Sequence, residues 1–94
     1  MLYEKHVGSF NKLMKEVRML DSDAGIRLLG TYKGKKCFVF VSRSAKGYAA
    51  VVCSVRTAGS LPGRRILASE FDGVRGLQGF LKRLSGRPLE AYVY

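Results

Sequence analysis

The chain has 94 residues, 47% hydrophobic and 26% charged, a composition suited to one small folded domain and not to a disordered chain. Its 17 Lys and Arg against 7 Asp and Glu give a net charge of +10, which favours a polyanionic partner. No apolar run approaches the roughly 20 residues of a membrane span. Met1 to Phe10, with Glu4, Lys5 and His6, does not read as a signal peptide, so cytoplasmic residence without secretion is expected.

Met1 to Val7 alternates weakly and is compatible with a short edge strand. Ser9 reads as an N-cap, because Phe10, Leu13, Met14, Val17 and Leu20 follow as one apolar stripe of a helix of about three turns. Asp21 to Gly25 ends it. Ile26 to Tyr32 is predicted as a strand, followed by a tight turn at Lys33-Gly34-Lys35. Lys36 to Arg43 is apolar on both faces and reads as a central strand. A second turn, Ser44 to Gly47, leads to a strand from Tyr48 to Thr57, then a loop from Ala58 to Gly63 and a strand from Arg64 to Phe71.

Asp72 is predicted to cap the second helix, whose apolar stripe is Val74, Leu77, Leu81 and Leu84 with Phe80 beside it. Lys82 and Arg83 fall in its last turn, Gly86 is the expected C-terminal cap, and Pro88 blocks continuation. Leu89 to Tyr94 alternates as a final strand. Gly73, Gly76 and Gly79 weaken this helix, the interior ones by up to about 1 kcal/mol each relative to Ala. They suit either close packing on the chain's own sheet or the approach of another backbone. The expected fold is α+β: one domain over residues 1–94, a four- to five-stranded antiparallel meander with two helices on one face, in the order α-β-β-β-β-α-β.

Catalytic chemistry is poorly provided for. His6 is the single histidine, and Glu70 and Asp72 bracket a strand-to-helix corner where one faces solvent and the other caps. Cys37 and Cys53 lack metal-ligand spacing, so no metal or other cofactor is expected. They would form a disulfide only if they faced each other across a hairpin; buried free thiols are the expectation. The protein reads as a non-enzyme.

Polyanion binding is better equipped. From Ala24 to Ser69 there is no acidic residue, yet the segment holds nine basic ones. Turns supply Lys33, Lys35, Lys36 and Lys46, and strands supply Arg43, Arg56, Arg64 and Arg65. Tyr32 and Tyr48, at strand ends beside turn lysines, are the expected stacking rings, whereas Phe38 and Phe40 are expected in the core. Strand alternation would place Tyr48 and Arg56 on one side, so that these cations and rings share an exposed face. Cations and aromatics on a sheet suit single strands, whose bases can stack, better than duplex DNA. Single-stranded DNA or RNA is the expected partner.

Two resemblances carry further expectations. Val39-Phe40-Val41-Ser42-Arg43, Lys46-Gly47 before the strand from Tyr48, and Pro62-Gly63-Arg64-Arg65-Ile66 before a helix together resemble the positive-cofactor-four-like transcriptional coactivators. That resemblance implies four antiparallel strands before one helix, single-stranded DNA on basic strands, and a homodimer. The chain departs from the pattern at Gly73, Val74 and Gly76, where the family's helix carries an aromatic, and in its added first helix and last strand. Ala68-Ser69-Glu70-Phe71-Asp72 followed by a short Leu-rich helix is similar to a corner of small phage anti-CRISPR proteins. This second likeness implies an inhibitor that binds a host protein or ribonucleoprotein complex.

Overall fold

Ser9 starts the first helix as its spacing predicts: its Oγ accepts the backbone N–H of Lys12 at 3.3 Å. The computed structural model describes residues 5–55 and 62–94. Along the chain lie β1 (Lys5–Val7), α1 (Phe10–Arg18), β2 (Gly25–Tyr32), β3 (Lys35–Ser44), β4 (Gly47–Val55), β5 (Pro62–Phe71), α2 (Val74–Leu84) and β6 (Ser85–Val93). The fold is α+β, with the predicted α-β-β-β-β-α-β order preceded by β1. The sheet has six strands, more than the four or five expected, in the order β1-β6-β2-β3-β4-β5.

β2 to β5 form the predicted meander. β6 returns to pair antiparallel with both β2 and β1. The hairpin from β2 to β3 turns on Lys33 and Gly34, both at positive φ (51° and 79°), the conformation of a two-residue type I′ turn. Between β3 and β4, Gly47 adopts φ 146°, and a side chain there would strike the carbonyl oxygens of Phe71 and Asp72, so glycine is required on both counts.

Both helices cover the same sheet face. Leu13, Met14 and Val17 of α1 and Leu77, Phe80, Leu81 and Leu84 of α2 join one core with Ile26, Leu28, Val39, Val41, Ala50, Val52 and Ala91. α2 ends directly over the sheet. A Cβ on Gly30 would overlap the carbonyl oxygen of Leu84, so only glycine lets this helix end approach β2.

Three predicted details are corrected. The N-cap of α2 is Gly73, in extended conformation and without a side-chain hydrogen bond; Asp72 lies one residue too early to cap. The C-cap is Ser85, also extended, so the chain passes straight into β6 and Gly86 lies within a strand. β5 begins at Pro62, two residues before the expected start, while residues 56–61 of the expected loop lie outside the described residues.

Close packing on the sheet accounts for Gly76, where a Cβ would stand 3.2 Å from the Phe71 ring of β5, and not for Gly73 or Gly79. Among the described residues, Gly73 and Gly79 have no packing neighbour within 4 Å of where a Cβ would stand. Among the described residues, no helix is long and apolar enough to cross a membrane.

Candidate nucleic-acid interface

Strand pairing sorts the predicted site residues by face, because paired residues share a side and neighbours alternate. The face away from the helices carries Arg27, Leu29 and Thr31 of β2, Lys36, Phe38 and Phe40 of β3, and Val51 and Cys53 of β4. Arg65 of β5 pairs with Cys53 and belongs to it, as does Tyr92 of β6, which pairs with Arg27 and His6. The same alternation places Tyr94 there, with its ring over Gly25.

These groups touch. The Arg27 guanidinium lies 5.2 Å from the centroid of Tyr92 and 6.0 Å from that of Phe38. Tyr92 also meets His6 at 5.2 Å, and Phe38 meets Phe40 at 6.3 Å. A cation and four rings thus run across four strands. Phe38 and Cys53 are buried, yet they stand outside the helix-side core; their cover is this layer of neighbours on the sheet.

The expected division of the aromatics is met only in part: Tyr32 stands beside the turn lysines and Phe38 is buried, but the faces differ from those expected. Phe38 and Phe40, expected in the core, lie on the helix-free face. Tyr48, expected as an exposed stacking ring, is 4% exposed and packs in the helix-side core opposite Phe71. The Arg43 guanidinium covers the Tyr48 ring at 4.6 Å.

The basic residues do not share one face either. Lys35 pairs with Tyr32 and Arg43 with Tyr48, both on the helix side by register, whereas Lys36 and Arg65 are on the helix-free face. Six of the ten predicted residues are instead brought together at one end of the sheet: Tyr32, Lys33, Lys35, Lys36, Arg64 and Arg65. The last turn of α2, which carries Lys82 and Arg83, ends over Gly30 of β2, toward this end. Arg43, Lys46 and Tyr48 occupy the opposite end, near Glu70 and Asp72. Arg56 lies outside the described residues.

At the basic end is a groove of about 670 Å³. Lys33, Lys35 and Lys36 line it together with Tyr32 and Ser54, and Val55 and Ile66 form its apolar wall. The Lys33 ammonium sits 5.5 Å from the Tyr32 ring centroid. Lys33 holds a left-handed backbone that Asn or Gly adopts more readily, at a cost on the order of 1 kcal/mol. Ile66 is the extra residue where the β4–β5 register slips between Val52 and Cys53, and it is 47% exposed. The Ser54 Oγ accepts the backbone N–H of Arg64 at 2.9 Å, which fixes the arginine pair beside the groove.

Among the described residues no carboxylate forms an ion pair with Lys33, Lys35 or Lys36, although Glu90 stands in the cross-strand row that ends at Arg65. Glu16 pairs with Lys5 at 2.6 Å on the helix side. Glu70 and Glu90 stand on the helix-free face, opposite Ala49 and Leu29. The two cysteines are free and on opposite faces, Cys37 opposite Ser54 and Cys53 opposite Phe38, so a bridge between them is excluded by register. Burial pushes the Cys37 thiol above its ordinary pKa, more than its backbone hydrogen bond with Gly30 lowers it.

Sequence reasoning did not bring Arg27, Phe38, Phe40, Tyr92 and Tyr94 together on one face. The signal for the tyrosines was present: in Leu-Glu-Ala-Tyr-Val-Tyr, alternation places Glu90, Tyr92 and Tyr94 on one side and Ala91 and Val93 on the other. Comparison with protein-family models, curated proteins and solved structures finds no match for this chain.

Proposed function

We propose that this protein is a non-enzymatic nucleic-acid-binding protein that takes single-stranded DNA or RNA across the helix-free face of its sheet, with phosphates drawn to the basic end. The observation that carries this reading is the row Tyr92, Arg27, Phe38 and Phe40. Tyr92 and Phe40, both half-buried, offer ring surface beside a guanidinium packed over the buried Phe38, with Lys36 and Arg65 on the same face. Unstacked bases gain about 1–3 kcal/mol each from such rings, and every base has a π-face, so the binding tolerates sequence. A paired duplex hides those faces, so it would reach only the cations.

Fluorescence anisotropy with single- and double-stranded DNA and RNA of one sequence tests the reading. Single strands are expected to bind at low salt, at least tenfold tighter than the duplexes. Binding by none of the four would overturn it.

One observation favours a second reading, a phage-type inhibitor docked on a host protein or ribonucleoprotein: the open space beside Gly73 and Gly79 on α2. A stoichiometric protein partner that survives nuclease treatment, and is lost in Gly79→Leu, would support that alternative.

A further inference from the structure

We infer that the groove at the basic end is a pocket for a nucleotide bearing a terminal phosphate, free or at the end of a strand. Its volume of about 670 Å³ lies in the range of small-ligand pockets, roughly 300–1,000 Å³. Its lining is divided as a nucleotide is divided. Lys33, Lys35 and Lys36 supply three ammonium groups, while Val55 and Ile66 with the Tyr32 ring supply apolar surface for a base or sugar.

Charge selects the terminal phosphate. An internal phosphodiester carries one negative charge, whereas a monoester carries about −1.5 to −2 near neutrality and presents three acceptor oxygens. Three lysines in one concavity come nearer to balancing the second than the first, and equal its acceptor oxygens in number. The Ser54 hydroxyl already accepts the Arg64 N–H, which leaves its own hydrogen to donate to a phosphate oxygen.

Two departures from easy local structure converge here. The hairpin holds a lysine at a left-handed position suited to Asn or Gly, and the bulge in β5 turns out an isoleucine that a regular ladder would not. Both side chains line the groove. The strand-end form of this inference rests on the single-strand reading above; the free-nucleotide form does not.

The test uses the full chain and two sets of probes. The first set is adenosine 5′-monophosphate, adenosine and inorganic phosphate, followed by NMR shifts at Tyr32, Lys33, Ser54 and Ile66. The monophosphate is expected to bind at least tenfold tighter than either of the others. The second set is one oligothymidylate carrying a 5′-phosphate, a 3′-phosphate or neither. One phosphorylated end is expected to tighten binding about tenfold. Lys33→Asn, which suits the turn and removes the charge, should fold at least as stably as the parent and lose both preferences.

Indifference to the end phosphate, together with no response to the monophosphate, would overturn the pocket even while unmodified oligothymidylate binds and the single-strand reading stands. Inorganic phosphate as tight as the monophosphate would equally remove the role given to the apolar wall. Monophosphate binding without any oligonucleotide binding would keep the pocket and sink the single-strand reading.

Discussion

Arg27 and Tyr92 face each other across the β2–β6 pair with the guanidinium 5.2 Å from the ring centroid, which ties the last strand of the chain to the first strand of the meander. At a partly exposed site such a contact stabilises by about 0.5–1 kcal/mol, so its removal alone should leave the fold intact. Its larger consequence is for binding. Arg27→Ala and Tyr92→Ala should each weaken single-stranded oligonucleotide binding by about fivefold to a hundredfold, the equivalent of one stacked base. Paired anisotropy and thermal unfolding measurements check this; a loss of affinity that follows a loss of folding would count against it.

Tyr48 should behave in the opposite way. Because its ring is in the helix-side core, Tyr48→Ala should destabilise the protein by about 3 kcal/mol. Tyr48→Phe should bind oligonucleotides like the parent chain. Denaturant unfolding and anisotropy of the two variants separate core from interface.

That contrast shows how much was legible beforehand. The stripes Leu13-Met14-Val17 and Leu77-Leu81-Leu84 announced both helices and their buried sides, and the Lys-Gly turn announced the first hairpin. The side of each residue in the central strand was not announced. Cys37-Phe38-Val39-Phe40-Val41 is apolar throughout, so nothing local says whether the odd or the even positions meet the helices; pairing with Ile26 and Leu28 decides it. In β5 the slips at Cys53 break the two-residue period, and Arg64, Ile66 and Arg65 could not be sorted by counting. Long-range pairing and bulges, not propensity, positioned the site.

Gly30 and Gly79 make a matched pair of stability tests. Gly30→Ala puts a methyl group into the Leu84 carbonyl, which no side-chain rotation relieves, and should cost about 3 kcal/mol or more. Gly79→Ala meets open space inside a helix and should stabilise by about 0.5–1 kcal/mol. Urea unfolding of both gives the signs directly.

The cysteines report on the two faces separately. Cys37, 1% exposed with its thiol pKa raised by burial, should react with alkylating agents only through unfolding. Cys53, 9% exposed on the helix-free face, should react faster and be protected by bound oligonucleotide. The neutral Cys37 thiol is the favoured form in the fold. Its contribution to stability is therefore present below the ordinary thiol range, near pH 8.5, and is lost as pH rises through the raised value. Cys37→Ala should lack that alkaline loss in unfolding measurements from pH 7 to 10.

Salt dependence measures the basic end. If about six cations meet phosphates, log affinity should fall with log salt concentration at a slope of about −4 for single strands. Lys36→Ala and Arg65→Ala should each reduce that slope by about 0.7, while Lys46→Ala, at the opposite end, should leave it unchanged. Titrations at several salt concentrations give all three slopes.

The most direct measurement is a nitrogen–proton correlation spectrum of the labelled chain titrated with a short oligothymidylate. Shifts are expected at Arg27, Lys36, Phe38, Phe40, Arg65, Tyr92 and Tyr94 and around Lys33, with α1 and the Arg43–Lys46 turn unmoved. Shifts confined to the helices or to the Lys46 end, or none at low salt, would contradict the assignment of the helix-free face as the nucleic-acid interface.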